Sequence, residues 1–396
     1  MINRILGFSI AILPLYLRVT ETENNRPSKD FMFYSIATIV VIMAGRKLRS
    51  LNAYTKGILL YAVIMAAYLP DHVFSTNVMV HTISMLFGIV FFVKYFEVCD
   101  EGDIQPIYDG MMIGSIIQGT IGVGGYFGIE MYHRLMDFAE SYPNVYYSLA
   151  KERYTLDWIF RDVRATSVGG GPGNVVGSLG NSNLLASYIC LTLPAFLTDR
   201  TKWFKYLALI PFTALILSES YMGILALIAG AIYYLNYRLQ IIHKGWLYLG
   251  AIHVMFVAPW WVAPIKHVTF DGGRFYVWKN MLTGLSLSHW IIGRGPGWYP
   301  DQRFIMEDGQ TALIQEHNSF LTIFNAYGLL GFVLLAPLFY RFIKAKDTNP
   351  VVSLVLFIAF CNAYGHFLIQ QSTGMLIVII FLCLGLKEVS SAKNLN

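Results

Sequence analysis

A polar and basic segment in the second half of the chain holds most of the residues whose types could do chemistry. It begins at Asp271-Gly272-Gly273-Arg274, ends at Glu316-His317-Asn318-Ser319, and has Gly293-Arg294-Gly295-Pro296-Gly297 in its middle. Guanidinium groups donate two parallel hydrogen bonds to phosphate oxygens, and a neutral imidazole accepts a proton near neutral pH. The segment therefore predicts an anion-binding site beside a general base.

The side chains of this segment take candidate roles from their chemistry. His317 is the candidate base and Arg274 suits a phosphate oxygen, whereas the plainer interpretation is a helix-anchoring histidine and an arginine that extends to lipid headgroups. The glycine-rich turn lets backbone amides approach an anion, although no Gly-Lys-Ser/Thr follows as in a P-loop. Asn318 is also placed to cap the next helix. The candidate substrate-binding residues here are Arg294, Arg303, Glu316 and Asn318.

A second polar segment lies upstream. Arg161 and Arg164 precede the run Gly169-Gly170-Gly171-Pro172-Gly173, and Asn183 then opens an apolar stretch. Because glycine and proline disfavour a helix, this run predicts a loop or the lining of a cavity. Arg161 and Asn183 are candidate substrate-binding residues, and so is Glu219 at the end of a later apolar stretch. A surface loop without a ligand is the alternative interpretation.

The composition indicates a membrane protein. Apolar residues make up 56% of the 396 residues and charged residues 13%, whereas soluble domains carry about 25% charge. The net charge of +5 comes without a compact basic face, which disfavours nucleic acid as a partner. No cysteine or histidine pair has the spacing of zinc ligands, so the sequence predicts neither a metal ion nor a cofactor.

Apolar stretches near the roughly 20 residues that cross a bilayer set the fold prediction. We predict an all-α integral membrane protein that forms one domain over residues 1–396, with about twelve transmembrane helices. The positive-inside rule favours both termini on the inner side. Two long outer loops with short helices, 130–182 and 265–317, then face the periplasm. The predicted spans are 3–18, 31–45, 57–70, 80–97, 108–129, 183–198, 203–218, 221–237, 246–264, 318–340, 350–365 and 367–386.

Three stretches of the sequence carry a resemblance to a known family. The first is Gly180-Asn181-Ser182-Asn183-Leu184-Leu185-Ala186, with Ser182 where the family usually has proline. The second is Gly273-Arg274 with Trp278 and then Ile292-Gly293-Arg294-Gly295-Pro296-Gly297. The third is His317-Asn318-Ser319-Phe320 with Gly328-Leu329-Leu330-Gly331. In order and spacing they resemble the bacterial O-antigen ligase and O-antigen polymerase superfamily of polytopic membrane glycosyltransferases.

The resemblance implies an activity, partners and site residues. It implies transfer of a glycan from undecaprenyl diphosphate to an acceptor hydroxyl at the periplasmic face of the bacterial inner (cytoplasmic) membrane, with inversion and without a metal ion. His317 matches the essential histidine of the family and Arg274 its essential loop arginine, and Arg164 is assigned as the second arginine. The expected partners are the carrier-linked donor, the lipid A core or a glycan acceptor, and membrane lipids.

Two further interpretations stay open. O-antigen ligation to the lipid A core is the expected reaction, but a polymerase of polysaccharide repeat units uses the same donor chemistry and differs only in its acceptor. From another class, a flippase or transporter of lipid-linked sugars is an alternative. Such proteins typically have repeated halves or broken helices with charges near the membrane midplane.

Overall fold

The computed structural model describes twelve parts of the chain. They are residues 2–19, 29–44, 76–99, 103–140, 182–198, 202–253, 282–294, 303–305, 311–313, 318–344, 349–362 and 372–393. The chain divides into two compact units, which we describe separately. The first unit is formed mainly by residues 3–22 and 102–231, and the second by residues 23–101 and 232–396.

The described residues are mostly helical. The helices in chain order are α1 (Ile2–Val19), α2 (Lys29–Ala44), α3 (Thr76–Val98), α4 (Gln105–Glu140), α5 (Ser182–Thr192), α6 (Lys202–Leu207), α7 (Leu209–Leu217), α8 (Tyr221–Leu239), α9 (Lys244–Ile252), α10 (Leu287–Ile292), α11 (Ser319–Lys344), α12 (Pro350–Asn362) and α13 (Ser372–Lys393). A 3-10 helix, Leu193–Leu197, follows α5, and two antiparallel strands, β1 (Arg303–Ile305) and β2 (Thr311–Leu313), pair between α10 and α11.

Glycines set the helix contacts of the first unit. Helices α1 and α4 meet at Gly7 and Gly110, where a Cβ on either residue would overlap the backbone of the other helix. The phenol of Tyr188 on α5 lies over Gly114 and donates a hydrogen bond to the carbonyl oxygen of Ile10 at 3.0 Å. Because these glycines lack a Cβ, three backbones approach closely enough for one buried tyrosine to join them.

An aromatic cluster joins the helices of the second unit. The ring of Tyr233 stacks on that of Phe357 with centroids 4.5 Å apart, and Tyr248 meets Phe357 edge-on at 5.1 Å. All three rings are buried, so this cluster attaches the end of α8 and helix α9 to α12. Aromatic pairs in such arrangements contribute about 0.5–1.5 kcal/mol each beyond the area they bury. Elsewhere in the same unit, α2 packs on α3, and α13 packs on α3 and α12.

The predicted fold class of about twelve transmembrane helices is wrong. Among the described residues, no helix combines the length and the apolarity needed to cross a membrane. The N-in, C-in topology rested on those spans and is corrected with them. The structure also contains the short β1–β2 pair, which the all-α prediction lacked.

Interrupted helices explain part of this correction. The predicted span 183–198 stops being α-helical at Thr192 and continues as a 3-10 helix that contains Pro194. The span 203–218 divides into α6 and α7 at Ala208, and the described helix within 350–365 has 13 residues. Proline removes a backbone donor and blocks the preceding turn, but an average of hydropathy does not register such a break. The span 57–70 lies outside the described residues.

Substitution of Gly110 tests the α1–α4 contact. Gly110→Ala is expected to lower the free energy of unfolding by roughly 1–3 kcal/mol, because the added Cβ meets the main chain of Gly7 and no flexible side chain can yield. Gly124→Ala is the matched control, since Gly124 lies on the same helix with nothing within 4 Å of a Cβ. Its free energy of unfolding should rise by up to about 1 kcal/mol. Urea unfolding followed by circular dichroism measures both, and equal effects would refute the contact.

Candidate functional site

Helix α11 begins with a side-chain cap at the end of the polar segment. The Oδ1 atom of Asn318 accepts hydrogen bonds from the backbone N–H groups of Phe320 at 3.0 Å and Leu321 at 3.1 Å. Asn318 is fully buried. These bonds satisfy donors that a helix start otherwise leaves without partners, and they confirm the predicted capping role of Asn318.

The chain just after α10 is joined to α11 by a backbone hydrogen bond. Gly293 ends α10 with φ at 77°, a conformation that glycine adopts readily. The backbone N–H of Arg294 then donates to the carbonyl oxygen of Asn325 at 2.7 Å. Arg294, in the second stretch of the family resemblance, is thus bonded to the helix that carries the third stretch.

A kink in α11 makes this contact possible. Gly328 has φ at 61° and ψ at −167° inside the helix, and a Cβ on it would overlap the backbone of Ile291 and Gly293. The ring of Trp290 meets that of Phe324 edge-on with centroids 5.0 Å apart. The kink therefore seats the end of α10 against α11, and the aromatic pair fills the remaining space.

Polar side chains gather at the start of α10. The hydroxyl of Ser286 accepts a hydrogen bond from the backbone N–H of His289, and it lies 2.9 Å from both the Nδ1 of His289 and the Oγ of Ser288. Arg294 donates from Nη2 to the carbonyl oxygen of Gly284 at 3.4 Å. Hydroxyl, imidazole and guanidinium groups on one short segment give it the donors that bind an anion.

Partial burial and a neighbouring positive charge shift the pKa values of the titratable groups in this cluster. Burial first, and then the positive charge of Arg294, lower the pKa of His289 below its usual value. Burial also lowers the pKa of Arg294, but an arginine stays charged at physiological pH. His289 is therefore held neutral to a lower pH than an ordinary histidine, while Arg294 keeps its positive charge.

The side chain of Asn325 is a buried polar group beside the same contact. Asn325 is 2% exposed, and its Oδ1 has no hydrogen-bond partner among the described residues. A buried oxygen left in this way costs about 1–3 kcal/mol.

Asn183 and Glu219 lie at one end of the first unit. Asn183 is in the first turn of α5, and its Oδ1 accepts a hydrogen bond from the hydroxyl of Ser220 at 2.6 Å. The same hydroxyl accepts from the backbone N–H of Gly223 and so caps α8. Glu219 is exposed, with φ at 50° in the turn just before Ser220. The structure thus brings two predicted binding residues to one helix junction.

Close packing holds this junction. A Cβ on Gly223 would meet the Cβ of Ala186 at 2.5 Å, and the thiol of Cys190 lies 3.2 Å from the carbonyl oxygen of Gly223. Helices α5 and α8 therefore approach closely just beyond the Asn183–Ser220 hydrogen bond. The resemblance placed Asn183 and Ala186 in one motif, and the structure shows that both face the start of α8.

The remaining predicted site residues have no described side-chain geometry. Arg303 lies in β1, where its backbone is the register partner of Leu313. Five others lie outside the described residues, namely Arg161, Arg164, Arg274, Glu316 and His317. Their candidate roles stay predictions.

Sequence reasoning missed several residues of these sites. Ser286, Ser288 and Asn325 received no role, and neither did Ser220. A Ser-x-Ser-His run at a helix start is a capping signal, and a lone asparagine in the apolar stretch after Asn318 indicates a polar contact. These signals were available in the sequence. The contact of Arg294 with Asn325 was not, because it depends on the kink.

Comparisons with known proteins add no assignment. No protein-family model matches the chain, and no curated protein or solved structure is significantly similar to it.

Substitution of Gly328 tests the contact between the end of α10 and the kinked helix α11. Gly328→Ala should lower the free energy of unfolding by roughly 2 kcal/mol or more, because it combines a positive φ with overlap against Ile291 and Gly293. Gly250→Ala is the matched control, since a Cβ at Gly250 in α9 meets nothing within 4 Å. Urea unfolding of both variants measures the difference, and a Gly328→Ala variant as stable as its control would contradict the kink.

The pH dependence of His289 tests the polar cluster. A lowered pKa in the folded state means that protonation favours unfolding, so the contribution of His289 to stability is complete above its unfolded pKa of about 6.5. That contribution is lost as the pH falls through this value towards the folded pKa. An NMR titration of the imidazole should give a pKa below the ordinary value. Arg294→Gln should raise that pKa, whereas Arg238→Gln on α8 should leave it unchanged. An unshifted imidazole would disprove the described environment.

Proposed function

We propose that this protein is a glycosyltransferase that moves a glycan from undecaprenyl diphosphate to an acceptor hydroxyl at the periplasmic face of the bacterial inner membrane. The acceptor that we propose is the lipid A core, so the reaction is O-antigen ligation. One observation carries the proposal: the N–H of Arg294 is bonded to the carbonyl of Asn325. This bond joins the Gly-x-Gly turn of the family motif to the helix that follows His317-Asn318.

The proposed chemistry uses arginines to hold the leaving group. A lipid diphosphate leaves readily once its negative charge is stabilised, and guanidinium donors stabilise such charge without a metal ion. We assign Arg274 and Arg164 to the diphosphate. Arg294 supports the use of arginine for this role, because it places a charged guanidinium on the same short segment as the Ser286 hydroxyl and the His289 imidazole.

The proposed base is His317. It accepts the proton of the acceptor hydroxyl while the hydroxyl oxygen attacks the anomeric carbon from the face opposite the diphosphate. The new C–O bond forms as the bond to the phosphate oxygen breaks, and the diphosphate departs with that electron pair. Attack from the opposite face inverts the anomeric configuration. The capped start of α11 supports this assignment, because Asn318 fixes the backbone immediately after His317.

The other predicted residues take binding roles in this proposal. Asn183 and Glu219 lie at the α5–α8 junction of the first unit and offer an amide and a carboxylate to sugar hydroxyls. Glu316, Arg161 and Arg303 are assigned to the glycan or to the diphosphate on their sequence positions alone. The neighbouring junction residue Ser220 positions Asn183.

A reconstituted transfer assay tests the proposed function. The purified chain is combined with a synthetic undecaprenyl-diphosphate glycan and lipid A core in EDTA, and the product is separated by mass. Wild-type protein should give ligated product, and His317→Ala should lower the rate by about 10²–10⁴-fold because the proton acceptor is lost. His253→Ala, which changes the exposed histidine just after α9, is the control and should keep the wild-type rate.

The outcomes of this assay separate the alternatives. Elongated carrier-linked glycan in place of ligated lipid A core would identify a polymerase. Product that requires a divalent cation would refute the metal-independent mechanism. If no carrier-linked donor is turned over, and if the His317→Ala variant still complements loss of the protein in cells, the enzyme hypothesis is rejected and a transporter is favoured.

A further inference from the structure

Four polar side chains around α10 in the second unit lie on one short and accessible segment. They are Ser286, Ser288, His289 and Arg294, and we name them the α10 cluster. The Oγ of Ser286 lies 2.9 Å from the Oγ of Ser288 and 2.9 Å from the Nδ1 of His289, and Arg294 donates to the carbonyl oxygen of Gly284. Both serines are exposed, whereas His289 and Arg294 are half-buried. A dissolved ligand can therefore reach the hydroxyl groups of the cluster.

The charge that acts on His289 is positive. Burial, and then the charge of Arg294, lower the pKa of His289. Helix α11 packs against this segment through the ring of Phe324 and the main chain of Asn325, and neither side chain is charged. Tyr327 also lies on α11, but phenols do not titrate in the range in which a histidine does. Among the described residues, therefore, the site combines one permanent cation with one histidine that can become a second cation.

We propose that the α10 cluster binds a tetrahedral oxyanion, a phosphate or a diphosphate, and that a proton on His289 strengthens this binding. Arg294 provides the permanent charge, because an arginine stays protonated. His289 and Ser286 provide the part of the affinity that depends on pH. Guanidinium, imidazolium and hydroxyl donors suit such a ligand, because each of its oxygens accepts hydrogen bonds. The inference does not depend on glycan transfer, in which His289 has no assigned role.

The hydroxyl of Ser286 couples the proton to the anion. Its Oγ accepts the backbone N–H of His289 at 3.3 Å, so we assign the hydroxyl proton to the Nδ1 of the neutral imidazole. In the protonated imidazole, Nδ1 is a donor and the Oγ of Ser286 becomes its acceptor. The hydroxyl proton must then turn away from the ring, towards Ser288 or a ligand. One proton thus adds a positive charge and releases a hydroxyl donor at the same place.

Sulfate binding to the full chain tests the proposal. Sulfate is the probe because it is tetrahedral and keeps both negative charges, whereas phosphate groups change their charge near neutral pH. The affinity should rise by about five- to tenfold as the pH falls from about 8 to about 5.5, because this interval includes the ordinary histidine pKa. Equilibrium binding measured at constant ionic strength, with chloride as the control for general screening, gives the two affinities.

Three variants separate the roles of the cluster. His289→Asn should abolish the pH dependence, because the amide takes no proton. His253→Asn is the matched control, since His253 is exposed in the same unit just after α9, and it should keep the full rise in affinity. Arg294→Gln should weaken sulfate binding by at least about tenfold at both pH values, because the permanent charge is lost.

An NMR titration of the His289 imidazole in the wild-type chain gives a second readout. Because linkage between two ligands is reciprocal, saturating sulfate should raise the pKa of His289 by an amount that matches the ratio of the two affinities. A pKa that sulfate does not move, or an affinity for sulfate that does not change with pH, would overturn the proposal. Loss of the pH dependence in His253→Asn as well as in His289→Asn would also overturn it.

Two further probes identify the source of the anion. Geranyl diphosphate and inorganic pyrophosphate are compared in wild type and in Arg294→Gln. A loss of affinity in this variant that is larger for geranyl diphosphate supports a lipid-linked diphosphate at the cluster, and an equal loss supports a free anion. Proton-linked sulfate binding without glycan transfer would refute the proposed function and leave this inference intact, whereas glycan transfer without such binding would overturn this inference alone.

Discussion

The kink of α11 at Gly328 is the constraint on which the candidate site of the second unit depends. Its φ of 61° lies in a region that residues with a Cβ adopt at a cost of about 1–3 kcal/mol. With no Cβ, the backbone of α11 reaches that of Ile291 and Gly293. The N–H of Arg294 can then donate to the carbonyl of Asn325. The backbone of Arg294 is thus held on α11 by main-chain atoms.

Close glycine contacts also join helices of the first unit. Gly7 and Gly110 let α1 and α4 touch, and Gly223 lets α8 approach Ala186 on α5. Each helical glycine costs about 1 kcal/mol relative to alanine, and the close packing it permits offsets that cost. The Asn183–Ser220 hydrogen bond lies at the junction made in this way. In both units, therefore, the positions of polar side chains follow from glycine contacts.

Local features of this protein were predictable from the sequence, and its long-range features were not. The cap at Asn318 and the helix that starts beside Asn183 follow from residue types and their immediate neighbours, and the structure confirms them. The kink at Gly328 did not follow, since Gly-Leu-Leu-Gly in an apolar stretch fits an ordinary helix with a small penalty. The packing of α10 on the bent helix decides that conformation. The Arg294–Asn325 hydrogen bond could not be predicted either, because it depends on that kink.

The error in the fold prediction has a related physical cause. A hydropathy average counts each apolar residue once, whether it fills the core as Tyr233 does or stays exposed as Ile241 does. It also passes over the break at Ala208 and the 3-10 turn at Pro194, which divide apolar stretches into short helices. The turn between α8 and α9 shows what the average loses. The side chain of Asn236 holds the backbone of Ile242 through two hydrogen bonds, and this polar interaction ends the apolar run in a way that a hydropathy average does not register.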